Sequence, residues 1–404
     1  MTEILKSEKK YGIHRKDMFY KIGNGFVRTV NNKFVENGRE YYFAPTKEGI
    51  LDYSVFLTIL YNCNGQNEFD IRINKIIKSL GKKPQSGIGR NNDNVKQSIK
   101  RLEQKFLLRI DEFEDSFVSG EVLLPDLEKH FFKLYENDLI MIMNNLSKRS
   151  MEDDEFISKY NNKEKAIYVY SYLLSMLGKH ETTEAGMETY LCFPSYKQIA
   201  EECGVSESYI NKLLAYLEYD ELLFSIYLGD AETPDGNTVI TSNYYTNSIE
   251  NLSLAYCYAR AYYDNEGYKY PKYAKRTKQL LEDISNMLVK SKDRLLEKYA
   301  KKFKKSHGEE YAKTLIEKEY LKFKEHFYMA IKKSVAYGNK IHPDITSDKM
   351  KCYIATRQNL KSKFYNKNTH PSLLFIADNE SASIILLSHI KQKLKALMYL
   401  YNIK

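Results

Sequence analysis

The chain has 404 residues, of which 43% are hydrophobic and 28% are charged, and this predicts two or three globular domains. The charge-rich first segment argues against a cleaved export signal, and no run of about 18 apolar residues could span a membrane. Five cysteines without CxxC spacing argue against a disulfide framework or structural zinc. We therefore expect a cytoplasmic protein without membrane association.

The formal net charge of +9 is unevenly distributed. Ile71–Arg109 carries eleven Lys or Arg residues against two carboxylates, and Pro271–Lys340 is also strongly basic. Asn161–Glu250 between them is acidic, with fourteen carboxylates against five lysines. Because a polyanion responds to local potential, we expect it to contact the first segment and to avoid most of the acidic one.

Taken in chain order, residues 1–45 are predicted to form a basic arm and a hairpin. Phe26–Val30 and Tyr41–Ala44 favour strands, and Asn37-Gly38 between them is a common hairpin turn. The arm carries cations that could reach into a minor groove, as basic arms do in other folds. These are Arg15, Lys16 and Lys21.

Residues 46–126 are predicted to form a first module of three helices followed by a two-stranded wing. Apolar residues at helical spacing mark the helices, and Ser119-Gly120 is the predicted turn of the wing. Asn91, Asn92 or Asp93 is expected to cap the third helix. The predicted elements are Tyr53–Tyr61, Ile71–Leu80, Asp93–Phe106, Leu107–Asp111 and Glu121–Leu124.

A connecting helix at Leu127–Leu146 and a polar joint are predicted to fill residues 127–160. The order of helix, helix, helix and wing then recurs over residues 161–248. The predicted elements are Lys163–Leu177, Pro194–Glu202, Ser206–Tyr219, and strands Leu223–Leu228 and Thr238–Tyr245 around Asp235-Gly236-Asn237. This repeat predicts a mostly α protein with small β-wings, made of two winged-helix modules and a C-terminal helical domain.

Residues 249–404 are predicted to form that lysine-rich helical domain. Its last helix, Ser381–Tyr401, carries apolar residues near heptad spacing, which fits either a dimer seam or core packing inside one chain. These residues are Ile384, Leu387, Leu394, Leu397 and Tyr401.

The second module contains the segment FPSYKQIAEECGVSESYINKLLAYLEYDELL, which has the pattern of a helix-turn-helix. Ser195 and Ser206 can cap the two helices, and Gly204 permits the left-handed conformation of the turn. The residues expected to meet a DNA major groove are Lys197, Ser206, Ser208, Tyr209, Asn211 and Lys212. The surrounding carboxylates would repel phosphates, so this module could instead dock a protein.

The first module has the better electrostatics for DNA, because its basic residues coincide with the expected recognition helix. Asn and Gln can pair with adenine and Arg with guanine, so the same face could read bases. The alternative is a solvated, charged helix face. The candidate DNA-binding residues are Lys82, Lys83, Arg90, Asn94, Lys96, Gln97, Lys100 and Arg101.

The usual signatures of enzymes are missing from the sequence. It has no GxxxxGK[ST] phosphate loop, no HxH arrangement for a nickase metal, and no dinucleotide fingerprint around Gly87 and Gly89. We therefore expect no enzymatic activity, no cofactor and no bound metal.

Tandem winged helices with a helical domain behind them resemble the replication initiators of theta-replicating plasmids and phages of low-GC Gram-positive-type hosts. KQIAEECGVSESYINKLLAYLE is similar to the helix-turn-helix of such initiators and also of transcription regulators. The resemblance implies a homodimer or monomer that binds repeated origin sites in double-stranded DNA and recruits host replication proteins. The alternatives are a transcription regulator of a mobile element, or a DNA-organising or partition protein.

Overall fold

A computed structural model describes residues 18–28, 35–36, 39–125, 130–144, 160, 162–181, 188–248, 251–269, 273–307, 309–338, 352–354, 375–377 and 380–403. The chain is mostly helical, with small antiparallel sheets. It forms two compact units, one of Met1–Met176 with Tyr196–Ile210 and one of Leu177–Ser195 with Asn211–Lys404. None of the described helices combines the length and apolarity needed to span a membrane. The predicted domain boundaries stay predictions.

The first unit alternates short strands with helices. Its elements are β1 (Phe19–Gly23), β2 (Val35–Glu36), β3 (Arg39–Glu40), α1 (Lys47–Tyr61), β4 (Glu68–Arg72), α2 (Ile73–Ser79), α3 (Asn91–Gln104), β5 (Leu108–Phe113), β6 (Phe117–Val122), β7 (Phe131–Tyr135), α4 (Glu136–Asn144), α5 (Lys163–Met176) and α6 (Tyr196–Cys203). A further helix, α7 (Glu207–Tyr219), begins in this unit and continues in the second.

The helices α1, α2 and α3 pack around one apolar core and are joined to a three-stranded sheet. Thr46 caps α1 by accepting a hydrogen bond from the Gly49 amide at 3.1 Å. The sheet order is β4-β6-β5, so a strand between the first two helices is paired with the hairpin that follows the third. The chain order is therefore helix, strand, helix, helix, strand, strand.

Two predicted features of this region are wrong. Ile71 and Arg72 lie in β4, so the second helix begins at Ile73. Ser119-Gly120 is not a turn but lies inside β6, and the turn is at 114–116. Glycine is required there because a Cβ on Gly120 would lie 2.0 Å from the Arg109 carbonyl oxygen on the facing strand.

The predicted connecting helix at Leu127–Leu146 is also wrong at Phe131–Tyr135, which is a strand. Residues 131–135 form β7, which pairs antiparallel with β1, and the helix α4 begins only at Glu136. Phe132 and Leu134 are buried while Lys133 is exposed, an alternation with the period of a strand. Residues 126–129 and 145–159, with the polar joint, lie outside the described residues.

The predicted N-terminal hairpin is shorter than expected and is displaced in sequence. Phe26 ends a single 3-10 turn rather than starting a strand, while β2 pairs with β3 across positions 37–38. Asn37, Gly38 and the arm residues Arg15 and Lys16 lie outside the described residues.

The second unit combines short hairpins with long helices. Besides the end of α7, it contains β8 (Gly178–Glu181), β9 (Glu188–Leu191), β10 (Phe224–Tyr227), β11 (Asp230–Glu232), β12 (Thr238–Ile240), β13 (Asn243–Thr246), α8 (Leu252–Asn265), α9 (Tyr273–His307), α10 (Glu309–Gly338), β14 (Cys352–Ile354), β15 (Phe375–Ala377) and α11 (Glu380–Leu400). The β14–β15 pair corrects the prediction that only helices follow residue 248.

The strands predicted within residues 223–245 are present as an interrupted hairpin. β10 pairs with β13 and β11 with β12, and the turn lies at Asp235–Asn237 as expected. Cys192 and Tyr245 exchange backbone hydrogen bonds of 3.0 and 2.7 Å, which adds a third strand segment beside β13. The order of Cys192, β13 and β10 thus repeats the order of β4, β6 and β5.

The helices α9, α10 and α11 pack against one another in the second unit. The heptad-spaced residues of α11 are buried in this chain, with Leu387, Leu394 and Leu397 at 0% exposure. Core packing therefore accounts for the apolar side of α11, and a dimer seam is not needed to explain it.

Candidate nucleic-acid interface

One side of α3 lies in the core and the other faces solvent. Val95, Ile99 and Leu102 are buried, as the helical spacing predicts, and Ser98 is buried with them. Phe106, which the same spacing predicts on the buried side, lies after the end of α3 and is 52% exposed. Of the predicted DNA-binding residues, Arg90, Gln97 and Lys100 are exposed, while Asn94, Lys96 and Arg101 are partly exposed. The structure thus brings the first group of candidates to one helix and the loop before it.

Three of these candidate cations are already paired with carboxylates. Lys82 Nζ lies 2.6 Å from Glu164 Oε1, and Lys96 Nζ lies 2.6 Å from Asp115 Oδ1. Arg101 donates two hydrogen bonds to the carboxylate of Asp52, at 2.8 and 2.7 Å. Asp52 is buried in α1, and its hydrogen bonds with Arg101 raise the pKa of that guanidinium. Arg101 therefore joins α3 to α1.

Six other cations of the basic segment are exposed at the surface. Among the described residues, no carboxylate pairs with them, so they can attract a polyanion. Lys100 Nζ also lies 5.8 Å from the centre of the Phe113 ring. The six are Arg72, Lys75, Lys78, Lys83, Arg90 and Lys100.

The loop between α2 and α3 is held to the start of α3 by side-chain hydrogen bonds. Asn92 Oδ1 accepts from the Gln85 amide at 2.8 Å, and Asp93 Oδ2 accepts from the Gly89 amide at 3.0 Å. Asn91 donates to the Lys83 carbonyl at 2.8 Å. The predicted capping role of these residues is therefore corrected, because they fix the loop and the N-cap position is Arg90.

The end of β5 and the turn between β5 and β6 are acidic. Asp111, Glu112, Glu114 and Asp115 are all exposed. The ion pair with Lys96 lowers the pKa of Asp115 and places this turn beside α3. These carboxylates would therefore repel phosphates rather than bind them.

The helices α6 and α7 are joined by a tight turn at Gly204. This residue has φ +61°, and a Cβ here would lie 2.2 Å from the Pro45 carbonyl oxygen, so only glycine fits. Ser206 caps α7 by accepting from the Tyr209 amide at 3.3 Å. Its hydroxyl also lies 3.1 Å from that of Ser208, and both residues are exposed.

Lys197 and Tyr209, two other candidates of this segment, differ in solvent exposure. Lys197 is exposed, with its Nζ 3.9 Å from Glu201. Tyr209 is partly buried and donates its hydroxyl to the Asn162 carbonyl at 3.1 Å, and burial raises its pKa above the usual range. Tyr209 is therefore engaged in packing, while Lys197, Ser206 and Ser208 are accessible.

Comparison with known families identifies this segment. Residues 185–223 match a helix-turn-helix domain. The match supports sequence-specific DNA binding by a helix-turn-helix protein, and it covers a small part of the chain. Neither a curated protein nor a solved structure matches this sequence.

In the second unit, α11 lies on the C-terminal part of the second helix of this helix-turn-helix. Lys395 donates to the side chain of Asn211. Lys212 Nζ lies 5.6 Å from the Tyr216 ring and 6.0 Å from the Tyr399 ring. Ala215 and Tyr216 would face outward on an isolated helix-turn-helix, yet both are buried. Asn211 and Lys212 are therefore tied into the second unit.

A buried polar cluster continues this contact at the C-terminal end of α7. Glu218 Oε1 lies 3.0 Å from His389 Nδ1, and Lys393 Nζ lies 2.9 Å from Glu221 Oε1. Burial raises the pKa of Glu218 to about 8 and lowers that of His389. Glu218 and His389 are 171 positions apart, and no local sequence pattern predicts a pairing over that separation. No group of metal-ligating side chains occurs within the described ranges.

Proposed function

We propose that this protein binds double-stranded DNA sequence-specifically through its first module, which has the element order of a winged helix. In this proposal α3 is the recognition helix and lies in the major groove. The observation that supports it is the solvent-exposed side of α3. Gln97 and Lys100 on the helix, Arg90 at its N-cap and Lys83 in the preceding loop are all exposed.

The second module has the same order of elements, and we propose that it is also a winged helix. Its recognition helix can offer DNA only its first turn, because α11 covers the part from Asn211 onward. Ser206, Ser208 and Lys197 then form a secondary contact.

We propose that the biological role is initiation of plasmid or phage replication at repeated origin sites, with host replication proteins as partners. The resemblance of the tandem arrangement to such initiators supports this role. A homodimer would need a surface other than the apolar side of α11, because that side is buried in this chain.

The DNA interface is tested with duplexes selected from a random pool. Lys83→Ala/Arg90→Ala/Lys100→Ala is expected to weaken binding and to reduce the slope of log K against log salt by about 2 to 3, because each lost phosphate contact removes about 0.9. The matched control, Lys290→Ala/Lys313→Ala/Lys318→Ala, removes the same charge from exposed positions of α9 and α10. An equal loss of DNA affinity in both variants would show that only the net charge matters, and it would contradict the proposal.

Initiation is distinguished from regulation by two measurements on the gene and its flanks. An initiator supports autonomous replication of a plasmid that carries only this gene, and it footprints on tandem repeats. A transcription regulator protects one palindrome at a promoter and supports no replication, whereas a partition protein covers DNA cooperatively over long distances.

A further inference from the structure

Ile88 is an apolar side chain that is completely open to solvent. It is 100% exposed, more than any other large apolar side chain among the described residues. Isolated surface aliphatic residues are ordinary in proteins. Ile88 differs because it stands at the tip of a loop whose shape is fixed, between α2 and α3.

The loop holds Ile88 in place through its backbone and its neighbours. Gly87 and Gly89 on either side have φ +116° and +70°, conformations that favour glycine and turn the chain sharply. The Arg90 amide donates to the Gly87 carbonyl at 3.0 Å, and Asn94 donates to the Gly89 carbonyl at 3.2 Å. The backbone on either side of Ile88 is thus held in one conformation, so little backbone entropy is lost when a ligand covers the side chain.

The surroundings of Ile88 indicate what that ligand is. Lys83 and Arg90 are exposed on the same loop, and Ile88 lies two positions before the N-cap of α3. Cations attract phosphates, and the first residues of a recognition helix approach base edges in the major groove. The apolar group that DNA displays in that groove is the C5-methyl group of thymine.

We propose that Ile88 recognises thymine through contact with its methyl group in the major groove. This inference rests on the proposed function and names one component of its sequence preference. The cations of the loop bind the phosphate backbone of the DNA. Ile88 adds discrimination between a T·A pair and a C·G pair at the position that it faces.

The test compares a selected duplex with the same duplex carrying uracil at every thymine, which removes the methyl groups and keeps base pairing. The wild-type protein is expected to bind the uracil duplex about fourfold more weakly per methyl contact, from roughly 0.8 kcal/mol per buried carbon. Ile88→Ala is expected to bind the thymine duplex with that same loss and to distinguish the two duplexes less. Ile240→Ala, at an 81% exposed position of β12, should behave as the wild type does.

Three results would overturn the inference. If Ile88→Ala and the wild type lose the same factor on uracil DNA, Ile88 does not contact a methyl group. If Ile88→Ala binds the thymine duplex as tightly as the wild type does, the residue faces something other than DNA, such as a protein partner. If the wild type selects no duplex at all, both the proposed DNA binding and this inference are wrong, whereas the first two results contradict the inference alone. A thermal melt of Ile88→Ala checks that the variant is folded.

Discussion

At the scale of single residues, Arg101 shows how a basic side chain at a predicted DNA face can be committed elsewhere. Its guanidinium holds the carboxylate of Asp52, which is 3% exposed. A buried carboxylate without a partner is strongly destabilising, whereas the pair itself contributes less. Arg101 therefore supports the position of α3, and Lys83, Arg90 and Lys100 are better placed to bind phosphates.

Arg101→Ala is expected to lower the free energy of unfolding by about 2 kcal/mol, less than for a fully buried pair because Arg101 is partly exposed. Urea denaturation measures this difference. The neighbouring Lys100→Ala should change stability by less than about 0.5 kcal/mol, since Lys100 is exposed. Similar unfolding midpoints for the two variants would show that the Asp52 pair does not stabilise the fold.

Glu218 and His389 predict how stability depends on pH. The folded protein keeps the proton on Glu218 up to a pKa of about 8, while the unfolded chain releases it near 4.5. The contribution of Glu218 is therefore fully present at low pH and is lost as pH rises towards 8. His389 has the opposite sign, because burial keeps it neutral, so its contribution is lost as pH falls below 6.5.

Glu218→Gln is expected to remove the decline on the alkaline side. Between pH 6.5 and about 8 the wild-type melting temperature should fall, because the folded protein still holds the Glu218 proton that the unfolded chain has released, whereas the variant should stay level. Thermal denaturation across this range provides the measurement, with Glu207→Gln at an exposed position as the control. Parallel curves for the wild type and Glu218→Gln would contradict the assignment.

At the scale of elements, the loop before α3 combines positive-φ glycines with hydrogen bonds to the helix. Gly89→Ala meets no atom within 4 Å, so its cost comes from backbone strain at φ +70°, about 1 kcal/mol. Because the loop presents Lys83 and Arg90, strain here should also weaken DNA binding.

The matched control for this change is Gly236→Ala in the β11–β12 turn. Gly236 has φ +81° and equally open surroundings, so its loss of stability should be similar. Melting temperatures and gel-shift affinities of both variants give the comparison. Equal DNA affinity in the two variants would show that the shape of the α2–α3 loop does not matter for binding.

At the scale of the whole molecule, a substitution in α11 distinguishes core packing within one chain from self-association of two chains. Leu394→Ala is expected to destabilise the protein by about 2 to 5 kcal/mol, because Leu394 is fully buried. Its unfolding midpoint, and that of the wild type, should not depend on protein concentration. A midpoint that rises with concentration would indicate that α11 is stabilised by a second copy.

Local patterns were sufficient for several elements of this protein. The spacing of apolar residues located α3 and the pair α6–α7, and the hairpin turn at Asp235–Asn237 followed from its residue types. These signals are local, because helix periodicity and turn preference depend on neighbours within a few positions. The predicted helix-turn-helix depends on such local signals, and it is confirmed by the match at residues 185–223.

The tertiary structure decided which candidate residues are available. Phe131–Tyr135 became a strand because β1, more than a hundred positions earlier, pairs with it. Lys96 and Arg101 are engaged because folding brings carboxylates from other elements to them, and Asn211 is engaged because α11 lies on α7. The sequence by itself determined the local elements and the excess of positive charge. Which of those charges stay open to a ligand depended on contacts between distant segments, because long-range packing has no signature in neighbouring residues.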